Sequence, residues 1–568
     1  MNPVIRELET ALKRAMAGAG LESVEGRWDF RPCADARHGD YQANPAMVLA
    51  KEVGRNPREI ANDVANRWGA GALAGVGVAG PGFLNFKLTE EALVRGLEGR
   101  QAGRFIEAVE RPKTIVVDFS APNVAKSMHV GHIRSTVLGD SLQRVARYIG
   151  HRVISDNHIG DWGTQFGKLI VGLRRFGSDE ALLADPIGEM ERLYKLTHEA
   201  SQSDPEVQEA ARQELKKLQD GDPANLALWR RLRELSQSAF ERIYARLGVH
   251  FDESLGESFY NPMLRGVVEE LVARGVARES EGAICVFFDE AGLKDKPFLI
   301  RKSDGAALYS TTDLATVKHR VEAFRPDEIW YVVDMRQSLH FQQLFATVRH
   351  WGLGVEMRHV GFGSILGADK RPLKTREGDP VKLDALLDEA VVRARAIVDE
   401  RRGDLGEEER RDIAEALGIG SVKYADLVQN RHLDYVFEWD RLLSFDGNTA
   451  PYVLNAYVRI RSIFRKSGDP EDAEYRLGPP SHPRERDLMM RLLQWEDVVA
   501  QVASEQRPHH LCFYLFGLAG CFHAFFEDCP VLKADAVLRS HRLALCRATA
   551  GTLRAGCELL GLKTVERM

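Results

Sequence analysis

The sequence has little that would place it in a membrane, an oxidising compartment or a zinc-protein class. Its seven cysteines, at 33, 285, 512, 521, 529, 546 and 557, form no C-x-x-C pair and no zinc-type spacing. That speaks against a disulfide framework and a structural zinc, and suits reduced thiols in the cytoplasm. No apolar run approaches the roughly 18 residues of a membrane span. The opening MNPVIRELETALKRAM mixes both charge signs over an amphipathic pattern, unlike a signal or transit peptide. Neither charge dominates: a formal net charge of -6 argues against indiscriminate coating of nucleic acid, yet leaves room for RNA held by local basic surfaces. Gly75, Gly77 and Gly80 formally match G-x-G-x-x-G, but Pro81 and the strand-like FLNFKL follow them. The helix N-terminus that would hold a dinucleotide phosphate is therefore missing.

What is present is a chain of 568 residues, 44% hydrophobic and 28% charged, long enough for several domains. Its organising stretch is TIVVDFSAPNVAKSMHVGHIR, residues 114–134. Ile115, Val116 and Val117 read as a buried parallel strand. Ser120 to Asn123 form a polar turn, where Pro122 keeps the residue before it out of a helix. HVGH then opens a helix whose apolar residues Ile133, Val137, Leu138, Leu142, Val145 and Tyr148 run to Gly150. Strand, turn and helix N-terminus together are where an open parallel sheet binds nucleotides. Gly131 leaves room for a flat adenine, and His129 and His132 can donate to phosphate oxygens. Either histidine taken alone also fits a capping or packing role.

Further along, PFLIRK, EIWYVVD and the stretch near MRHVGF alternate with helical patterns, which predicts a doubly wound, Rossmann-type parallel sheet. Residues 177–290 read as a helical insertion with solvated charge runs. An α+β unit precedes the sheet, up to about residue 105, and an all-α domain follows it from 440. That last domain holds 17 basic and 17 acidic side chains over 436–568, so it is not basic as a whole. One of its helices nevertheless carries Tyr457, Arg461, Phe464 and Arg465 at spacings of three and four, a mix that single-stranded RNA favours, as does an ordinary core stripe with a basic flank.

At its HVGH the chain resembles the class I aminoacyl-tRNA synthetases, whose first signature is HIGH. FSAPNVAKSMHVGH, NHIGDWGTQFGKLI at 157–170 and RPLKTREG at 371–378 are similar to the bacterial-type arginyl branch, and the likeness spans nearly the whole chain. The resemblance implies a tRNA-binding additional domain over 1–105, a catalytic domain over 106–439 and an anticodon-binding domain over 440–568. It implies ATP, carried with Mg²⁺, as substrate beside L-arginine and tRNA(Arg), in a cytoplasmic protein that acts as a monomer and needs no membrane. Asp118, Asn123, Tyr309, Asp313 and Gln337 match arginine-binding positions. A carboxylate suits the planar guanidinium, whose fork lysine cannot reproduce. Ser310 to Asp313 also reads as a helix capping box, which leaves Asp313 a second role. For Asp118 the alternative is a strand-end carboxylate with only solvent around it.

Lys126, His129, Gly131, His132, Trp162 and Gly363 fall on the ATP side, and Phe83 and Asn85 match base-contacting positions of the first domain. Tyr457 and Arg461 are the corresponding candidates in the last domain. Class I enzymes carry KMSK in the loop that here reads PLKTR, so Thr375 replaces the second lysine, with Lys374 and Arg376 beside it. In the arginyl branch a lysine ahead of the first signature compensates, and Lys126 occupies that place. Losing such a cation from the transition state costs on the order of 3–4 kcal/mol. Two rivals stand beside this reading. A nucleotidyl transferase for small phosphorylated substrates is opposed by the RNA-sized flanking domains. A catalytically silent RNA-binding paralogue is opposed by the intact His129, His132, Lys126 and arginine positions.

Overall fold

The computed structural model of the protein describes residues 2–21, 30–33, 35, 37–101, 108–371, 373, 381–468, 470 and 473–568. In the first unit α1 (Pro3–Gly18), β1 (Phe30–Pro32), β2 (Tyr41–Ala43), α2 (Pro45–Val53), α3 (Pro57–Asn66), β3 (Ala74–Ala79), β4 (Phe83–Leu88) and α4 (Glu90–Gln101) follow in turn. Proline opens α1, α2 and α3, where its missing N–H costs nothing. The antiparallel sheet has the order β1-β2-β4-β3, and Gly75 and Gly77 lie on its edge strand β3, which pairs with β4. Those glycines are strand residues, as the missing phosphate-binding helix predicted. The unit is fastened to the far end of the chain, where Arg486 reaches Asp40 at 2.6 Å.

The nucleotide-type half begins with β5 (Thr114–Asp118), α5 (Val130–Tyr148) and β6 (Arg152–Asp156). Then come α6 (Gln165–Phe176), α7 (Asp179–Ala184), α8 (Pro186–Ser203), α9 (Pro205–Gln219), α10 (Pro223–Leu247) and α11 (Glu257–Ala273). Next are β7 (Ala277–Ser280), β8 (Ala283–Val286), β9 (Phe298–Arg301), α12 (Tyr309–Phe324), β10 (Glu328–Tyr331), α13 (Ser338–Trp351) and β11 (Glu356–His359). The main sheet is parallel, in the order β11-β10-β5-β6. Its register sets Tyr331, Asp118 and Asp156 side by side at the carboxyl ends of β10, β5 and β6. PFLIRK is a correction. It forms β9 of a separate antiparallel sheet with β7 and β8. An apolar strand of four residues fits either sheet, and the hairpin before it supplies the nearer edge.

Beyond it lie β12 (Ile365–Leu366), α14 (Leu383–Arg401), α15 (Glu407–Leu427), β13 (Tyr435–Val436) and α16 (Trp439–Leu442). The last domain is helical: α17 (Ala450–Ser467), α18 (Pro483–Leu493), α19 (Trp495–Glu505), α20 (His509–Asp528) and α21 (Ala536–Leu559). α20 corrects a second expectation, because its 20 residues are long and apolar enough for a membrane span. Leu511, Leu515, Leu518, Phe522 and Phe525 are instead buried inside the helical bundle. The bundle also packs on α5. Lys423 of α15, 1% exposed, donates to the carbonyls of Leu247 and Gly561 at 2.6 and 2.7 Å. Its ammonium lies 3.5 Å from Asp140 of α5, so the helix opened by HVGH is locked to the chain's C-terminal turn.

Candidate active site

The turn between β5 and α5 holds Ser120, Ala121 and Ala125 at φ of 75°, 48° and 64°. Left-handed backbone at non-glycine residues costs about 1–3 kcal/mol each and persists where its surroundings fix it. Here the N–H of Ser120 donates to Ser135 Oγ, that of Ala121 to Asn157 Oδ1 and that of Ala125 to Ser236 Oγ. Ser120 Oγ lies 2.8 Å from both Thr136 Oγ1 and Tyr244 OH. The turn is rigid, and it delivers Lys126 and His129 to one place.

The two histidines share one hydrogen-bonding pattern. Gly131 N–H donates to His129 Nδ1 at 3.1 Å, and His129 N–H donates to His132 Nδ1 at 3.0 Å. With both Nδ1 atoms accepting, both rings carry their proton on Nε2. Burial and the nearby Lys126 lower the pKa of His129, and burial pushes His132 down to about 4. Both are therefore neutral donors at physiological pH. A side chain on Gly131 would lie 2.9 Å from the His129 ring, which is reason enough for glycine there.

Asp118 departs from expectation. It is 6% exposed, and its carboxylate accepts from Arg320 at 2.6 Å. Arg320, itself 0% exposed, also donates to Asp156 at 2.7 Å and lies over the Tyr331 ring. Burial pushes the Asp118 carboxyl up, and the Arg320 charge opposes that push. A buried guanidinium requires such counter-ions, so Asp118 faces protein rather than solvent.

Asp313 also lies outside the expected cap. α12 starts at Tyr309, where the N–H of Leu308 donates to Thr311 Oγ1, and Asp313 instead contacts His340 Nε2 at 2.6 Å. Beside it stands Glu257 at the start of α11, which the sequence reading missed. Its carboxyl is pushed up to about 8 by burial, by Asp161 and by Asp313, while accepting from the backbone of Trp162. Glu257 in turn acts on Tyr309, which is 68% exposed. Asp313, Tyr309 and the Trp162 backbone thus all act on or answer to the Glu257 carboxyl, which makes this an acidic neighbourhood. Asn123 is exposed, and its amide oxygen occupies the space a side chain on Gly160 would need. Gln337 is exposed in the single 3₁₀ turn after β10.

Lys374, Thr375 and Arg376 lie outside the described residues, but both ends of their loop are anchored. On entry, β12 pairs with β13, and the N–H of Gly363 donates to Arg431 O at 2.8 Å. A side chain on Gly363 would meet the Leu433 backbone at 2.8 Å, so close packing accounts for that glycine. On exit, Val130 N–H donates to Val381 O and Leu383 N–H to Met128 O, at 2.9 and 2.8 Å. The chain therefore resumes, at Val381 to Leu383, against the histidine motif. Among the described residues, no group of three or more His, Cys, Asp or Glu side chains is arranged to hold a metal ion.

Two further surfaces suit RNA. On β4 Phe83 is half-buried, and Asn85, 9% exposed, has an Oδ1 without a hydrogen-bond partner. In α17 the expected face is the inner one: Tyr457 is 3% exposed, and Arg461 pairs with Glu566 at 2.8 Å. The outward face carries Tyr452, Asn455 and Arg459. Tyr452 packs against Phe516 and His523, and Arg459 lies 5.7 Å from the ring of Phe526. The i, i+3, i+7 spacing of these three was readable in the sequence, but which stripe faces outward depends on α20 and α21.

Comparison with known proteins matches all three units. Residues 98–439 match the family described as tRNA synthetases class I (R), catalytic domain. Residues 453–568 match the DALR anticodon binding domain, and 6–88 the arginyl tRNA synthetase N terminal domain. The chain is 45% identical over 583 residues to an arginine–tRNA ligase of Klebsiella pneumoniae, covering 99% of each. It is 44% identical to one of Erwinia tasmaniensis over 551 residues, 95% of each chain. Among solved structures it is similar to the arginyl-tRNA synthetase of Plasmodium falciparum, with a TM-score of 0.85, 28% identity and 100% of each chain covered. The Thermus thermophilus arginyl-tRNA synthetase gives a TM-score of 0.83 at 27% identity, covering 99% of this chain and 100% of that one.

Proposed function

The chain belongs to the class I arginyl-tRNA synthetases, and on that premise we propose how its residues divide the work. It is an arginine–tRNA ligase. A carboxylate oxygen of arginine attacks the α-phosphorus of ATP, the bond to the bridging oxygen breaks, and pyrophosphate leaves with the electron pair. The adenylate then esterifies the terminal ribose of tRNA(Arg). The side chains supply position and charge, with little acid–base chemistry.

The observation that supports the residue assignment is the acidic neighbourhood in which Asp313, held by His340, acts on the buried Glu257 carboxyl and Glu257 acts on Tyr309. Two carboxyl groups in one neighbourhood suit a guanidinium fork, and a substrate without that fork leaves them unpaired. Asn123 and Gln337 frame the rest of the amino acid. Asp118 fixes the carboxyl end of β5 by holding Arg320. His129 and His132 donate from Nε2 to the phosphates, and Lys126 supplies the cation that Thr375 cannot. ATP arrives as its magnesium complex. Phe83 with Asn85, and Tyr452 with Arg459, take the RNA at two separate places. The protein works as a cytoplasmic monomer, and docked tRNA is required for the activation step.

The test is charging of tRNA(Arg) with labelled arginine against citrulline and lysine as competitors. Charging with arginine alone is expected. Esterification of citrulline at a comparable rate would remove these carboxyl groups from amino-acid choice.

A further inference from the structure

Among the described residues the Asp313 carboxylate receives a single hydrogen bond, and it comes from His340. Asp313 lies near the start of α12 and His340 near the start of α13, 27 residues apart in the chain. Nε2 of His340 stands 2.6 Å from Asp313 Oδ2, and both side chains are half-buried. An ionised carboxylate only accepts, so the imidazole donates from Nε2 whether or not Nδ1 also carries a proton. The second oxygen, Oδ1, accepts no hydrogen bond from any described residue.

The donor is itself held in place. The His340 ring meets the rings of Phe298 in β9 and Phe341 in α13 near edge-on, each with centroids 5.4 Å apart. Three residues on, Gln343 Nε2 donates to Lys296 O at 2.9 Å, just ahead of β9. α12 is fastened to the same strand, because Ser310 Oγ donates to Leu299 O and Thr311 Oγ1 to Ile300 O. Both helix starts are therefore docked on β9, and the bond between Asp313 and His340 joins them to each other. Gln337 stands three residues before His340, at the N-cap of α13. The start of α13 thus carries one candidate arginine-binding residue and the partner of another.

We infer that His340 is a positioning residue that sets the enzyme's specificity for arginine by acting through Asp313. The inference rests on the assignment of Asp313 to the guanidinium and deepens it. Each carboxylate oxygen has two lone pairs, so Oδ2 can take the imidazole N–H and still form, with Oδ1, a pair of acceptors in one plane. A guanidinium fork needs that plane at a set angle, whereas an ammonium, a point charge, does not. A carboxylate free to turn loses rotamer freedom when arginine binds, and His340 removes that cost in advance. His340 therefore favours the forked substrate over lysine without touching either.

The experiment is arginine-dependent ATP–pyrophosphate exchange by the full chain with tRNA(Arg), with lysine as a competing inhibitor. His340→Leu should raise the KM for arginine about tenfold, with kcat, the KM for ATP and the inhibition constant of lysine held within about twofold. His340→Gln, whose amide N–H reaches about as far as Nε2, should bring the arginine KM back to within about threefold of the unaltered chain. In an Asp313→Ala background His340→Leu should shift the arginine KM by less than about twofold, because the group it holds is gone. An arginine KM unmoved by His340→Leu, equal losses for Leu and Gln, or equal losses of ATP and lysine binding would overturn the inference. So would an undiminished effect in the Asp313→Ala background. A normal arginine KM in Asp313→Ala alone would instead sink the assignment of Asp313, and absence of exchange by the unaltered chain would sink the ligase reading.

Discussion

The guanidinium of Arg134 lies 3.2 Å from the carboxylate of Asp426, with the two side chains 1% and 0% exposed. Arg134 stands one turn into the helix that His129 opens, and it also donates to Leu433 O at 3.0 Å. Tyr435 OH donates to the same Asp426 at 3.1 Å, and β13 carries the strand from which the 364–380 loop departs. The pair therefore sets the root of the loop against the histidines. Removing one member of a buried ion pair costs about 3–5 kcal/mol. Asp426→Asn should lose that much in urea denaturation. The kcat of exchange should fall further than any rise in arginine KM. Unaltered stability would mean the pair is not held as described.

Amino-acid choice rests on the acidic neighbourhood. Asp313→Ala should cost about 2–5 kcal/mol of arginine binding, roughly thirtyfold or more in KM, with ATP little affected. Asp313→Asn keeps the contact to His340 but not the charge, and should fail nearly as badly. A folded Asp313→Ala enzyme with normal arginine KM would leave Asp313 as a partner for His340 only.

Glu257 makes arginine binding pH-dependent. Its carboxyl, held up to about 8 by burial and by Asp161 and Asp313, is protonated in the free enzyme at neutral pH. A bound guanidinium favours the ionised form, so binding releases a proton below that value. Arginine affinity should climb with pH and level off near 8, and calorimetry in two buffers should show the release. Glu257→Gln should flatten the profile. The raised pKa also has a stability sign. Its contribution is fully present below the unfolded value near 4.5 and is lost as pH rises through about 8. Glu257→Gln should therefore gain stability relative to the unaltered chain between those limits. A pH-independent arginine affinity in the unaltered protein would contradict the assignment.

RNA binding separates the two faces of α17. Arg459→Ala and Tyr452→Ala should weaken tRNA binding by about 1–3 kcal/mol each, the range for base stacking and its cationic partners. Arg461→Ala, already occupied by Glu566, should change it little. Phe83→Ala should weaken the same binding while sparing free arginine and ATP. Equal losses at Arg459 and Arg461 would count against an outward-facing site.

The sequence made the local features legible and the long-range ones not. β5, a polar turn and α5 follow from propensities within some thirty residues, which puts HVGH at a helix start, whereas the turn's left-handed backbone depends on the distant Asn157 and Ser236. The ion pair of Asp118 with Arg320 is not legible locally, because the two lie 202 residues apart in the chain. Glu257 escaped notice for the same reason, since only folding sets it beside Asp313. Helical periodicity found a stripe on α17 but not which stripe the bundle covers. α20 shows the reverse case, where an apolar run fits a membrane or a core by composition and only its neighbours decide. PFLIRK was recognised as a strand, but nothing local assigns a strand its sheet.

The central claim is that this site activates arginine, and that docked RNA completes it. Exchange of labelled pyrophosphate into ATP, at saturating arginine and ATP, tests both halves in one measurement. The account predicts exchange when arginine and tRNA(Arg) are both present, and negligible exchange when either is left out. Lys126→Ala should lower the complete reaction by about 10² with little change in arginine KM. Exchange that ran as fast without arginine would contradict the assigned chemistry, and robust exchange without tRNA would contradict the RNA requirement.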